Sequence, residues 1–407
     1  MKYAILTFGC RVNQADTLAL EAALAAHGAQ AVAAEHADVV VVNTCSVTAT
    51  ADQGGRQAIR RVHRVNPRAR IVATGCYATR DRAAVGTLPG VVAVVGNDAK
   101  DDLDARVLSL TTAERFGDGD DACGAALAPG LAGRTAWTLR VQTGCDEACA
   151  YCIVPVTRGR PRSRSVDDVR REVARLGRAG YKEVVLTGVH LGAYGRDLDP
   201  PTSLFTLLHG LVADAGDLRF RVSSLEPMDL TGEIVELVRA RPEALAPHLH
   251  LPLQHGDDDV LALMRRPYTR DQFARMVDLV RARLPHAAIG SDLIVGFPGE
   301  TDAAFERSLA YLRGSPLTHL HVFVYSDRPG TPASRMSGRV HGALVRERAR
   351  RAREVGLALA TAFRRGQAGS VRRALTLDDG TSALTDNYIK VPIPPGRGRN
   401  QWVDVRL

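Results

Sequence analysis

The hydrophobic pattern changes character along the chain. Its first part carries continuous apolar runs at 2–9 ("KYAILTFG"), 37–44 ("ADVVVVNT") and 69–75 ("ARIVATG"), with helical periodicity across 15–27 and 47–64. Unbroken runs separated by helices predict strands covered on both faces of a parallel sheet. Residues 111–134 lose periodicity. The stretch "FGDGDDACGAALAPGLAGR" is dense in Gly, Asp and Ala and reads as a linker, in which Cys123 is a free thiol without a role. A second α/β series begins near Trp137, with strand candidates at 137–142, 183–188, 218–224, 249–254, 288–297 and 320–326. Helical patterns lie between them, as at 167–179, 229–240, 270–283 and 301–313. Six βα repeats predict a barrel or partial barrel. Residues 341–365 are helical and Arg-rich. Beyond them, "RRALTLDDGTSALTDNYIKVPI" alternates short β-like runs with turn signals such as Asp379-Gly380, which predicts a small β domain. The expected class is α/β: a parallel domain at 1–110, a linker at 111–134, a barrel at 135–362 and a short β domain at 363–407.

Composition narrows the function. The 407 residues suffice for roughly two or three domains. The net charge of +8 favours a polyanionic partner such as nucleic acid, although an ordinary solvated charged surface gives the same number. The N-terminus "MKYAILTFGC" has no apolar signal region, and no apolar run approaches the ~20 residues that span a bilayer. The expectation is a cytoplasmic protein without membrane contact. Its seven cysteines are then read as metal or redox ligands rather than disulfides.

Six of those cysteines form two sets of three. Cys10, Cys45 and Cys76 follow the first three predicted strands in matching contexts, "TFGC", "VNTC" and "ATGC". Strand C-termini of a parallel sheet share one edge, where ligands bind, so the three thiols can converge. Buried cysteines acting as small hydrophobes are the plainer alternative. Cys145, Cys149 and Cys152 form C-x3-C-x2-C in "GCDEACAYC", directly after the first strand of the barrel series. Zinc would ask for a second pair downstream, which is missing. A [4Fe–4S] cluster on three thiolates keeps one iron free for another ligand.

At these residues the chain resembles the radical S-adenosylmethionine (SAM) methylthiotransferases, over nearly its whole length. The scattered Cys10/Cys45/Cys76 set and "GCDEACAYCIVPVTRGRPRSR" (144–164) resemble that family's two cluster regions. "SSLEP" (223–227), "HLHLPLQHG" (248–256), "SDLIVGFPGET" (291–301) and "HVFVYSDRPGTPASRM" (321–336) resemble its later strand-end motifs. "LTGVHLGAYGRDL" (186–198) and "RRPYT" (265–269) look like the branch acting on threonylcarbamoyladenosine in tRNA, rather than those acting on isopentenyladenosine or a ribosomal-protein aspartate. The resemblance implies a radical SAM partial (β/α)6 barrel and a C-terminal TRAM/OB-like RNA-binding domain. It implies a radical-generating cluster on Cys145, Cys149 and Cys152 and an auxiliary cluster on Cys10, Cys45 and Cys76. SAM would serve as radical source and methyl donor. Implied partners are the tRNA anticodon loop and an electron donor such as a flavodoxin or ferredoxin; the sulfur donor stays open.

The same resemblance and the predicted strand ends assign cofactor contact to Tyr151, Thr187, Gly188, Ser223, Ser224, Glu226, Gln254 and Gly296, with "VGFPGE" (295–300) backing the SAM adenine. Arg158, Arg160, Arg162 and Arg164 alternate after the cluster loop, so an extended segment would turn all four toward phosphates. His255 replaces the family's usual Ser and is read as a spectator at the pocket rim. The Arg-rich stretch 346–354 is read as a solvated helix face. The whole implies methylthiolation at C2 of a hypermodified tRNA adenosine. A zinc-containing tRNA-binding protein without redox chemistry is the reading from another class.

Overall fold

The computed structural model describes residues 1–110 and 127–407, so most of the expected linker, Cys123 included, lies outside the described residues. Every residue of "VVVVNT" is buried, as an unbroken β-branched run requires. This strand, β3 (Val39–Thr44), centres a five-stranded parallel sheet with β1 (Lys2–Thr7), β2 (Gln30–Ala31), β4 (Arg70–Thr74) and β5 (Val91–Val95), in the order β2-β1-β3-β4-β5. The outer strands β2 and β5 add to the three expected. Cys10, Cys45 and Cys76 all lie just past the C-terminal ends of β1, β3 and β4, at one sheet edge.

The second series runs through β6 (Trp137–Arg140), a short antiparallel pair β7 (Gln142–Thr143) and β8 (Arg162–Ser163), then β9 (Glu183–Thr187), β10 (Arg219–Val222), β11 (His248–His250), β12 (Ala288–Val295) and β13 (His319–Val324). Strands β6, β9 and β10 pair in parallel, as do β11, β12 and β13. Parallel bridges Phe220↔Leu245 and Ser224↔His250 join the two sheets. The result is six strands in chain order, open between β6 and β13: the expected partial (β/α)6 barrel. Ser165, Ser203, Thr231, Asp257, Thr269 and Thr301 each cap a helix on its outside by accepting a backbone N–H with the side chain. Alternate strand residues bury apolar groups against those helices: Val184, Leu186, Phe220, Leu249, Ile289 and Leu293. The intervening residues face the lumen, and many are polar: Thr187, Arg221, Ser223, His248, His250, Asp292, His319 and His321.

The N-terminal domain covers the open seam. On the β6 side, Asp16 takes Arg140 at 2.6 Å and Arg158 at 3.2 Å. On the β13 side, Asp52 pairs with Arg328, and Ser326 Oγ accepts the Ala49 N–H at 2.9 Å. The helix Gly342–Gly366 lies along β12 and β13 and spans the expected 362/363 boundary.

The last domain is a four-stranded antiparallel sheet of β14 (Val371–Leu377), β15 (Ser382–Thr385), β16 (Lys390–Pro392) and β17 (Trp402–Arg406), ordered β16-β15-β14-β17. It closes the N-terminal end of the barrel. Arg219 and Arg221 share Glu183 at 2.8 and 3.0 Å. They also donate to the carbonyls of Arg373, Asp386 and Thr385 on the small sheet. Burial alone would raise the Glu183 carboxyl; the two guanidiniums outweigh it and hold it at about 2.

Candidate active site

Each set of thiols is fixed by its own backbone. Cys10 opens the helix Arg11–Ala26, Cys45 follows β3, and Cys76 lies in the helix Gly75–Arg80. Gly9, at φ 94°, lets Cys45 come close: a Cβ there would sit 2.5 Å from the Cys45 Sγ. Burial pushes the Cys45 thiol up to about 11, with Cys10, Cys76 and Asp52 adding to it and the Val47 N–H opposing it. Around the set lies buried positive charge. Lys100 reaches Asp16 at 2.7 Å and Asn43 Oδ1 at 2.9 Å. Arg158 donates to Asn13 Oδ1 at 2.6 Å, and Asn97 Nδ2 lies 3.6 Å from the Cys76 Sγ. Asp16 is one carboxylate among three cations, Lys100, Arg140 and Arg158. Against burial, they hold it well below the usual carboxylate range.

The second set sits in one loop at the C-terminal end of β6 and β7, the end of a barrel where chemistry is found. Gly144, at φ 75°, brings the loop against the Arg160 carbonyl, which a Cβ would meet at 1.9 Å. Cys145 accepts the Glu147 N–H at 3.4 Å and lies 3.9 Å from His190 Nδ1; His190 Nε2 is 2.8 Å from Asp229. Gln142 ties this loop to the one after β9, accepting the Val189 and His190 N–H groups at 2.9 Å and donating to the Gly144 carbonyl at 2.8 Å. Arg266 donates to Cys149 Sγ at 3.1 Å and pairs with Glu226. Burial, then the other two thiols, push Cys152 up to about 12; the Val154 N–H opposes them.

A cavity of about 250 Å³ inside the barrel is lined by Cys10, Thr187, Gly188, Ser223 and Ser224 together with the lumen histidines, while none of the loop cysteines lines it. Thiols this reluctant to ionise are held as thiolates only by a cation. Two sets of three thiols, with cationic side chains against them, fit iron–sulfur clusters.

The other expected residues divide. Tyr151 sets its ring edge-on to Phe297 and its hydroxyl 3.4 Å from Arg266. Glu226 serves Arg266. Gln254 takes φ 68° and joins β12 through its backbone, with its N–H on the Asp292 carbonyl at 2.9 Å. Gly296 presents its open face to Val345, which a Cβ would meet at 2.6 Å, so it lies against the long helix and not on the cavity. Its N–H and that of Phe297 go to Glu300. His255 is fully buried behind that turn, accepting the Asp257 N–H at 3.2 Å, and is not at a pocket rim.

The four-arginine stripe does not form. Arg158 ends a helix, Val154–Arg158, so the segment is not extended there, and its guanidinium turns inward to Asp16. Arg160 and Arg162 stay exposed, and Arg164 is half-buried. In the Arg-rich helix, Arg350 and Arg351 pair with Glu347, Glu354 and Glu306 as a solvated face does, while Arg348 is buried against Glu300. Sequence reasoning missed Lys100, Asp16, His190 and Arg266 as site residues. It also missed the lumen histidines, although "HLH" stands at both 248–250 and 319–321, a period-two signal for one sheet face.

Residues 139–312 match the model of the radical SAM superfamily, and residues 2–96 match that of an uncharacterized protein family, UPF0004. The threonylcarbamoyladenosine tRNA methylthiotransferase of Aquifex aeolicus is 36% identical over 96% of this chain and 96% of its own length. The chain belongs to the radical SAM methylthiotransferase family. The Bacillus subtilis protein of the same name is 37% identical over 86% of this chain and 78% of its own. A tRNA-2-methylthio-N(6)-dimethylallyladenosine synthase of Frankia alni is 37% identical over 85% and 71%. Among solved structures, the radical SAM methyltransferase TsrM of Kitasatospora setae, with cobalamin and a [4Fe–4S] cluster, shares the fold at TM-score 0.58 and 16% identity, over 82% of this chain and 76% of that one. Enzymes of the family use SAM and a [4Fe–4S] cluster, and its methylthiotransferases carry a second cluster. Among the described residues no helix is long and apolar enough to cross a membrane.

Proposed function

We propose that this enzyme adds a methylthio group to C2 of N6-threonylcarbamoyladenosine at position 37 of tRNA, in the cytoplasm. The observation that carries this reading is a lumen cavity lined by Cys10 of the scattered set and by Thr187 and Gly188, whose loop continues to His190 beside Cys145 of the loop set. The names of the relatives from Aquifex aeolicus and Bacillus subtilis support the substrate.

In this reading Cys145, Cys149 and Cys152 hold the cluster that SAM completes, and Cys10, Cys45 and Cys76 hold the auxiliary cluster. Bound there, the clusters and SAM supply the one-electron chemistry that an aromatic C–H without an acidic proton requires. The protein's part is to place and insulate. Arg266 donates to the Cys149 sulfur, and His190 is held beside Cys145 by Asp229. Gln142 fixes the two loops that carry these groups. Thr187, Gly188, Ser223 and Ser224 form the cavity wall on which SAM and the target base meet. The N-terminal domain, clamped across the seam by Asp16 and Asp52, keeps water out. The anticodon loop suits this access because its bases can be splayed from the stack. Arg160, Arg162 and the sheet at 363–407 are the RNA contacts of this reading, and a flavodoxin- or ferredoxin-like protein is the electron donor.

Nucleoside analysis of tRNA from a deletion strain tests it. The methylthiolated threonylcarbamoyladenosine should disappear while its unthiolated precursor accumulates. Its persistence, in a strain with no second such enzyme, would overturn the assignment.

A further inference from the structure

The lumen has an unusual wall. His248 and His250 on β11 and His319 and His321 on β13 all face inward, with Asp292 of β12 between them. Asp292 Oδ1 lies 2.9 Å from His250 Nε2 and 3.3 Å from His321 Nδ1, and the rings of His250 and His321 stack at 5.1 Å. Gly290 makes the room: a Cβ there would lie 2.0 Å from His319 Nε2 and 2.8 Å from His250 Nδ1. A glycine inside a strand marks such a close approach.

The floor comes from another domain. Tyr388, between β15 and β16, stacks on His248 at 4.1 Å and 10°, and its hydroxyl takes Arg11 Nη2 at 2.8 Å. Arg11 has no carboxylate partner among the described residues. His248 is 5% exposed, and neither of its ring nitrogens has a hydrogen-bond partner there. Such a buried polar group calls for a ligand. Burial, followed by His250 and His321, pushes His319 down to about 4, so it is neutral at physiological pH; Thr318 Oγ1 lies 3.1 Å from its Nδ1, which leaves Nε2 for a ligand. At the mouth, Phe323 is 44% exposed and offers a flat apolar face.

The wall therefore presents a stacking ring at one end, imidazole donors and acceptors along it, and, at the end of Tyr388, which is 37% exposed, a guanidinium without a carboxylate. An apolar substituent would strip water from these groups without replacing its hydrogen bonds. We propose that this array is the subsite for the carboxylated, urea-linked substituent of the target adenosine. The base stacks at Phe323, the urea meets His250, His319 and His321, and the carboxylate reaches Arg11. The inference rests on the substrate reading above and names the residues that would enforce it.

The test is binding by the cluster-loaded enzyme of labelled anticodon stem-loops whose target adenosine carries a threonylcarbamoyl group, a dimethylallyl group or nothing. Wild type should bind the first about tenfold or more tighter than the third, the weight of a charge-assisted hydrogen bond. Arg11→Gln and His321→Gln should each bring that ratio to within about twofold, at wild-type iron content. Should Arg11→Gln lose iron, Tyr388→Phe becomes the readout: it keeps the stack, removes the hydroxyl that orients Arg11, and should give an intermediate ratio. A wild-type ratio retained in these variants overturns the subsite. So does one equivalent of zinc per wild-type chain that vanishes in Asp292→Asn, because His250, Asp292 and His321 would then be a metal site. Preference of the wild type itself for the dimethylallyl loop fails the substrate reading instead, and is seen before any variant is made.

Discussion

Cys145, Cys149 and Cys152 come from one loop, whereas Cys10, Cys45 and Cys76 come from three strand ends. Their surroundings differ as well. Beside the loop set, Arg266 is matched by Glu226 and His190 by Asp229. Beside the scattered set, Lys100, Arg140 and Arg158 share Asp16, and Arg140 also reaches Asp101. The local set owes its geometry to turn chemistry at Gly144, and its charges are paired. The scattered set depends on the whole parallel sheet, and the three cations beside it share two carboxylates, Asp16 and Asp101. The two thiol sets thus sit in different electrostatic settings, and that difference is open to attack.

The largest expected effect is functional. Cys145→Ala should abolish SAM cleavage, while Cys45→Ala should spare cleavage and stop methylthiolation; product analysis by chromatography reads both. Equal loss of cleavage in two folded variants would erase the division of labour.

Next comes Asp16→Asn. It leaves three buried or half-buried cations without their shared carboxylate, which should cost about 3–5 kcal/mol in chemical denaturation. The sign of its pH dependence is fixed by the depressed carboxyl. Its contribution is full above the usual carboxylate value near 4 and is lost as pH falls below it. Wild type should therefore lose stability on acidification more steeply than the variant. The same sign applies to Glu183, whose contribution is full above about 4.5 and fades toward about 2. Glu183→Gln should loosen the C-terminal sheet, seen as faster proteolysis after the long helix.

Arg266→Gln removes one charge-assisted hydrogen bond to a sulfur of the loop set, and should slow SAM cleavage about tenfold with iron content retained. The smallest effect is expected from Asn97→Ala, which removes a weak contact to Cys76 and a 2.9 Å bond to the Thr157 carbonyl. About 1 kcal/mol of stability should be lost, with SAM cleavage unchanged.

The fold was legible where local pattern decides it. Unbroken apolar runs marked β1, β3 and β4, because burial on both faces leaves no polar phase to confuse, and the six βα repeats marked the barrel although its strands alternate apolar residues with polar lumen residues. The cysteines were legible because strand-end position is itself a sequence feature. The partners around them were not. Lys100 and Asp16 meet across 84 residues, and Arg266 and Cys149 across 117; pairings of that span follow from tertiary closure alone. Arg158 was misplaced for a local reason: one helical turn at Val154–Arg158 replaced the extended segment, which rotated its side chain out of the stripe. The two "HLH" tripeptides were visible, but their joint meaning needed β11 and β13 on either side of β12.

Tyr388 gives the C-terminal sheet a second occupation. Because one of its side chains is part of the lumen floor, the sheet is not an interchangeable handle for RNA. A chimera that grafts the corresponding domain of another family member onto this barrel would inherit that donor's floor with it. With the subsite proposed above, exchanging a domain at one end of the molecule would then rewrite which nucleoside is admitted at the other.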